Sequence, residues 1–174
     1  MELKSLTILA LIPARGGSKG IPRKNIIDIC GKPLIAYTIY EALQSQYINR
    51  VIVSSDDDDI RAIAIQYGAE APFRRPENLS IDTAKPVECD LHATRWAERD
   101  QGINYDYVVE LLCTNPFKTA GDIDAAWDHY HRSVDADGLP MSAISSLTDV
   151  SREVTQNHSA QATYIDAISL YKAA

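Results

Sequence analysis

The residues best suited to chemistry lie in one short segment near the N-terminus, residues 13–25, with the sequence PARGGSKGIPRKN. Glycines in such a segment let backbone N–H groups approach an anion closely, and here there are three: Gly16, Gly17 and Gly20. Four cationic side chains stand among them: Arg15, Lys19, Arg23 and Lys24. Because the chain has a net charge of −7, this local positive charge predicts a phosphate cradle. A solvated loop with incidental charges is the alternative.

The spacing of the glycines excludes two common phosphate-binding motifs. A Walker A loop needs GxxxxGK followed by Ser or Thr, and the dinucleotide fingerprint needs GxGxxG. In this chain the glycines stand as GGxxG. The pattern therefore argues against a P-loop kinase and against a typical dehydrogenase.

An alternation of strands and helices must position this segment. Residues 6–12 form a continuous apolar run, which is typical of a strand buried on both faces. Ligands bind in the loops after the carboxyl ends of parallel strands. Further strands are predicted at 50–55, 105–112 and 142–147. Helices are predicted at 34–43, 87–99 and 119–133, and one more begins at the aspartates 56–59 and ends at residue 68. We expect one α/β domain over 1–174, with a mainly parallel sheet and helices on both faces; the pattern of 151–174 is too weak to assign.

Composition narrows the choice of partners. The chain has 174 residues, 45% hydrophobic and 24% charged, without a basic stripe, so we expect no nucleic-acid partner. No apolar run approaches membrane-spanning length, and we expect no membrane association. Three cysteines without CxxC spacing and an apolar start that we interpret as a strand, not a signal peptide, predict a cytoplasmic protein.

Five segments together resemble one enzyme family. The first, IPARGGSKGIPRKNI, is similar to the signature loop of the acylneuraminate (CMP-sialic acid) cytidylyltransferases, and similarity continues in order through GKPLIAYTI, RVIVSSDD, YGAEAPFRRPENLSIDTA and YVVELLCTNPFKTAGDID. The chain is identified as a member, C-terminally shortened, with a Rossmann-like nucleotidyltransferase fold. Residues 133–174 match poorly and are expected to be a remnant of the dimerisation segment and a truncated C-terminus.

The resemblance implies a transfer of CMP from CTP to an acidic nonulosonic sugar, with release of pyrophosphate and with Mg²⁺ as cofactor. Arg15 and Lys19 are the implied catalytic residues: Arg15 clamps the triphosphate and Lys19 stabilises the leaving group. Lys24 is expected on phosphate, and Asn25 either contacts base or ribose or holds the loop in shape. The implied nucleotide-binding residues are Ala14, Arg15, Gly16, Gly17, Ser18, Lys19, Lys24, Asn25, Arg75, Asp82, Thr83 and Ala84.

Three polar residues, Arg75, Asp56 and Asp57, each have two competing interpretations. The resemblance puts Arg75 at the cytosine side of the pocket, whereas a surface ion pair with Glu77 or Glu70 is the structural alternative. Asp56 and Asp57 follow a predicted strand and precede a predicted helix. We interpret them as helix caps and not as metal ligands.

The match departs from the family where the sugar is expected. The family segment QPTSPLR is represented by LCTNPFK at 112–118. Leu112 offers no hydrogen bond where the family has glutamine, which favours a different acceptor, while Lys118 keeps the charge of an arginine. The implied substrate-binding residues are Leu112, Thr114, Asn115 and Lys118.

The family's late aspartates that hold magnesium have no counterpart in this sequence, so the metal ligands are unknown. A homodimer is implied by the resemblance. Three hypotheses follow: a cytidylyltransferase for an acidic sugar, a nucleotidyltransferase for a different sugar or a phosphorylated alcohol, and a non-catalytic nucleotide-binding paralogue.

Overall fold

The computed structural model describes residues 6–17, 20–132 and 168–172, and for 130–132 and 168–172 it describes the backbone. Short 3₁₀ turns lie at Lys24–Ile26 and Glu77–Leu79. The strands and helices are β1 (Ile8–Pro13), β2 (Asp28–Ile29), β3 (Lys32–Pro33), α1 (Leu34–Gln44), β4 (Arg50–Ser54), α2 (Asp58–Gln66), α3 (Pro86–Gln101), β5 (Tyr107–Leu111), α4 (Ala120–Arg132) and β6 (Ile168–Lys172).

The main sheet has the order β4-β1-β5-β6. Strand β1 pairs in parallel with both β4 and β5, while β6 runs antiparallel to β5. Strands β2 and β3 form a separate antiparallel hairpin directly before α1. Because three neighbouring strands run in one direction, their carboxyl ends meet at one edge of the sheet, and the loop after β1 leaves from its middle.

Alternating residues of β1 build the core on both faces of the sheet. Ile8, Ala10 and Ile12 belong to the cluster that contains buried residues of α1, α2 and α4. Leu9 and Leu11 belong to a second cluster with residues of α3. Side chains of a strand alternate between its two faces, so a strand covered by helices on both sides has to be apolar throughout. This confirms the predicted α/β fold and its mainly parallel sheet.

Most of the predicted elements are confirmed with small shifts of their ends. The strand predicted at 142–147 lies outside the described residues, and the unassigned stretch 151–174 contains β6. The single-domain assignment over 1–174 stays a prediction. Within the described part of the chain, no helix is long and apolar enough to cross a membrane.

Candidate functional site

The first feature of the site is the way the glycine-rich loop leaves the sheet. The backbone N–H of Ala14 donates to the Ser54 carbonyl at 2.9 Å, so pairing with β4 continues one residue past β1. Ala14 is fully buried. The loop therefore starts from a fixed point between the carboxyl ends of β4 and β5.

Two hydrogen bonds then hold the loop in shape. The N–H of Gly16 donates to Asp56 Oδ1 at 3.0 Å, and Asn25 Nδ2 donates to the Arg15 carbonyl at 3.0 Å. A Cβ on Gly16 would lie 2.7 Å from Asp57 Oδ2 and 2.9 Å from Asp57 Cβ, so close approach requires glycine here. Asn25 is buried and does hold the loop, as one of its two interpretations expected; its contact with base or ribose stays a prediction.

Asp57 joins this loop to helix α2. Its carboxylate accepts hydrogen bonds from the N–H groups of Asp59 and Ile60 at 2.9 and 3.0 Å, which confirms the predicted N-cap. The same carboxylate pairs with Arg23 at 3.0 Å, and Asp59 pairs with Arg23 at 2.8 Å. The prediction that Asp56 also caps the helix is wrong, because the N-cap is Asp57 and Asp56 accepts a hydrogen bond from the loop N–H of Gly16. Sequence analysis missed this anchoring role, although four consecutive aspartates after β4 were its visible sign.

Arg15 lies at the surface of the site. Its Nη1 is 2.7 Å from Asp82 Oδ1, and the two side chains are 36% and 48% exposed. Exposed ion pairs of this kind contribute about 0–1 kcal/mol, so a more highly charged anion can replace Asp82 at little cost. The pair brings Asp82 next to the glycine-rich loop. Nucleotide binding by Asp82, Thr83 and Ala84 stays a prediction.

The remaining loop residues are placed only in part. Gly17 is exposed, and Lys24 is half-buried in the first 3₁₀ turn. Burial raises the pKa of Cys113 to about 12, while the charges of Lys118 and Lys24 oppose this effect. Ser18 and Lys19 lie outside the described residues, and their roles stay predictions.

Arg75 is buried at the end of β4. Only 5% of it is exposed, and it donates from Nε to Ser54 Oγ at 3.0 Å and from Nη2 to the Ser54 carbonyl. Burial lowers the pKa of Arg75. The alternative of a surface pair is wrong, because Glu70 pairs with Arg50 at 2.6 Å and Arg75 is not at the surface. Its contact with cytosine stays a prediction.

Two buried carboxyl groups near Arg75 were not predicted. Glu110 shares the face of β5 that α3 covers, because it follows Val108 by two residues, and Asp90 lies on α3; both are buried. Burial, and next the charge of Glu110, raise the pKa of Asp90 to about 7, while Arg75 lowers it. Asp90 Oδ2 is buried with no hydrogen-bond partner in the described structure. The sign in the sequence was a glutamate inside the apolar strand YVVELL.

The segment expected to bind the sugar follows β5. Thr114 is exposed, and Asn115 Oδ1 accepts from the N–H of Phe117 at 3.1 Å. Lys118 differs from its expected placement, since it is 1% exposed and donates to Thr38 Oγ1 and to two backbone carbonyls of its own segment. In this structure Lys118 orders the segment, and direct contact with a sugar would require one of these bonds to break.

The described residues show no cluster of metal ligands. They contain no group of three or more His, Cys, Asp or Glu side chains placed to hold a metal ion. Near the loop, Asp56 and Asp57 bond the backbone and Asp82 pairs with Arg15. Mg²⁺ stays a prediction of the family resemblance.

A central buried strand between two parallel neighbours, followed by a glycine-rich cationic loop, is the arrangement in which open α/β sheets bind ligands at the carboxyl ends of their strands. A family model described as "Cytidylyltransferase" matches residues 9–172. The chain therefore belongs to the cytidylyltransferase family.

Similar proteins of known activity share this fold and family. Over 122 residues the chain is 45% identical to a pseudaminic acid cytidylyltransferase of Campylobacter jejuni, covering 70% of this chain and 52% of that protein. It is 41% identical over 113 residues to a CMP-N,N'-diacetyllegionaminic acid synthase of Legionella pneumophila, covering 65% and 48%. With an N-acylneuraminate cytidylyltransferase of Escherichia coli it shares 38% identity over 152 residues, covering 83% and 35%. The chain thus spans about half the length, or less, of these relatives.

Solved structures give the same fold. A CMP:2-keto-3-deoxy-manno-octonic acid synthetase in complex with CTP superposes with a TM-score of 0.60 at 25% identity, over 75% of this chain and 49% of that one. A 4-diphosphocytidyl-2C-methyl-D-erythritol synthase superposes with a TM-score of 0.55 at 12% identity, over 76% and 58%. The second likeness concerns the fold alone.

Proposed function

We propose that this chain binds CTP at the carboxyl edge of its sheet and transfers CMP to an acidic nonulosonic sugar, releasing pyrophosphate. The observation that carries the proposal is the meeting at this edge of a glycine-rich loop, an exchangeable arginine and a buried arginine. Gly16 is fixed by Asp56, Arg15 is held by a surface pair among the described residues, and Arg75 is fixed by Ser54. Family membership supports the same activity.

The reaction needs alignment and charge neutralisation. The anomeric hydroxyl oxygen of the sugar forms a bond to the α-phosphorus, the bond from that phosphorus to the oxygen bridging to the β-phosphate breaks, and the hydroxyl proton passes to solvent. Such transfers depend mainly on positioning and on stabilising charge that develops on the leaving group. Arg15 is expected to exchange Asp82 for phosphate oxygens, and Lys19 to stabilise the departing pyrophosphate.

The nucleoside half of the ligand is expected beside β4. Arg75 cannot swing freely, because two of its nitrogens are bound to Ser54. A donor fixed before the ligand arrives loses little side-chain entropy on binding, which suits recognition of a base edge. Before CTP binds, the ion pair of Asp82 with Arg15 keeps the neighbouring Thr83 and Ala84 close to the site. Once Arg15 turns to phosphate, we expect these residues to cover the bound nucleotide.

For the acceptor, the proposal is a nonulosonic acid of the kind named in three relatives: pseudaminic, diacetyllegionaminic or N-acylneuraminic acid. An apolar Leu112 where the sialic-acid family carries glutamine favours an acceptor other than sialic acid. A homodimer, Mg²⁺ and a cytoplasmic location remain predictions.

Pyrophosphate release tests the activity. CTP, Mg²⁺ and each of the three acids are supplied in turn, and release with one of them supports the proposal. Binding of CTP without release with any acid, other sugar or phosphorylated alcohol would favour the non-catalytic paralogue.

The site itself is tested by a matched pair of arginine variants. Arg15→Ala is expected to weaken CTP binding by about tenfold or more, because a charge-assisted bond to phosphate is lost. Arg74→Ala is the control, since Arg74 is exposed and pairs with Asp58 on the surface. Equal CTP affinity in Arg15→Ala and the wild type would contradict the proposed cradle.

A further inference from the structure

A single buried ammonium group ties the segment after β5 to helix α1. Lys118 Nζ donates to Thr38 Oγ1 at 2.8 Å, to the Leu112 carbonyl at 2.6 Å and to the Asn115 carbonyl at 2.8 Å. An ammonium group has three protons, and all three are used here. Thr38 is fully buried on α1, so the contact is a fixed one between distant parts of the chain.

A second connection fixes the far end of the same segment. Glu41, one turn after Thr38 on α1, accepts from the N–H of Ala120 at 2.8 Å. Thr119 and Asp122 cap α4 reciprocally, with the Thr119 N–H donating to Asp122 Oδ2 at 2.8 Å and the Asp122 N–H to Thr119 Oγ1 at 3.2 Å. This capping-box arrangement sets where the helix begins. Residues 112–119 are therefore anchored both at their middle and at their end.

We propose that Lys118 is a positioning residue for the acceptor sugar, which holds the carbonyls of Leu112 and Asn115 so that the exposed groups between them stand at the sheet edge. Thr114 lies between those two carbonyls and is exposed. Strand β5 is the direct neighbour of β1, so this segment adjoins the glycine-rich loop. The inference rests on the proposed function, which puts the sugar beside the triphosphate.

The protonation state of Lys118 is expected to make the KM for the sugar depend on pH. Burial lowers the pKa of Lys118 to about 8, while the nearby groups Cys113 and Glu41 raise it. Above this pH the neutral amine has two protons for three oxygens. The KM for the sugar in the wild type is therefore expected to rise as the pH increases through about 8, while the affinity for CTP stays constant.

Three variants separate positioning from direct contact. Lys118→Met removes every anchor and is expected to raise the KM for the sugar by about tenfold or more, with the dissociation constant of CTP within about twofold. Thr38→Val removes only the anchor on α1 and should raise the sugar KM in the same direction. Lys118→Arg, which stays charged at all relevant pH values, should partly restore the KM and abolish its rise above pH 8. Lys32→Met, at an exposed lysine of β3, is the control.

Hydrogen exchange gives a readout that does not depend on turnover. Amides of residues 112–119 should exchange faster in Lys118→Met and Thr38→Val than in the wild type or Lys32→Met. Unchanged exchange in both variants would overturn the anchoring. Faster exchange with an unchanged sugar KM would overturn the positioning role. A wild-type protein that binds no CTP would instead contradict the proposed function, and with it the sugar role, while the exchange result would still decide the anchoring.

Discussion

Gly16 and Gly17 are adjacent glycines with different surroundings, and alanine at each should have a different effect. A Cβ at Gly16 would be 2.7 Å from Asp57 Oδ2 and 2.9 Å from Asp57 Cβ, whereas a Cβ at Gly17 would have no described residue within 4 Å apart from its neighbours in the chain. The Oδ2 atom can rotate away, but the Cβ of Asp57 moves only with its backbone. Moving that backbone displaces the residue that caps α2.

The magnitude follows from these contacts. Inserting a methyl group into close-packed surroundings costs about 1–3 kcal/mol, and a lost N-cap adds about 0.5–2 kcal/mol. Part of the strain is relieved by movement, so Gly16→Ala should lower the free energy of unfolding by about 2 kcal/mol. Gly17→Ala should leave it unchanged or raise it by up to about 1 kcal/mol, because alanine restricts the unfolded chain.

Urea denaturation followed by circular dichroism measures the difference, with the slope against urea compared between variants to check that the unfolding reaction is the same. The reasoning is refuted if the two variants unfold with free energies within about 0.5 kcal/mol of each other. It is also refuted if Gly17→Ala is the less stable one.

Three further predictions concern charged groups. Asp57→Ala should lower the free energy of unfolding by about 1 kcal/mol more than Asp57→Asn, because asparagine still caps α2; urea denaturation compares them. Asp90 has its pKa raised from 3.8 to about 7, so its stabilising effect is complete below about pH 4 and is lost as the pH rises to 7. Asp90→Asn should flatten that pH dependence in denaturation curves, and an unchanged slope would argue against a buried proton. Arg50→Met leaves Glu70 and Asp100 without the cation they share. Because these carboxylates are 48% and 42% exposed, the loss should cost about 1 kcal/mol, whereas an unchanged urea midpoint would show that the network contributes nothing.

The fold was predictable because its information is local. The apolar run of β1 predicts burial on both faces, and helices α2 and α3 are bounded by Asp57 and by glycines at 68 and 102. The glycine-rich loop followed from composition, since glycines and cations coincide in one short stretch.

Partners distant in sequence were not predictable in the same way. Thr38 Oγ1 on α1, which accepts a hydrogen bond from Lys118, is 80 residues away in the sequence. Nothing in the local sequence distinguishes an anchoring lysine from one that binds substrate. Arg75 has the same ambiguity, because its burial depends on how the chain after α2 returns along β4. Asp90 on α3 and Glu110 on β5 come close to each other only when α3 packs on the sheet. The sequence pattern shows that these charged residues are unusual, but their contacts depend on the three-dimensional fold.

Chemical-shift mapping of backbone amides during a CTP titration tests the central claim most directly. We predict that the largest changes fall in residues 14–25 and 82–84 and at Arg75. Residues of α3 that face away from the sheet should change little. Changes concentrated on α3, or spectra that CTP leaves unaltered at millimolar concentration, would contradict a nucleotide site at the carboxyl edge of the sheet.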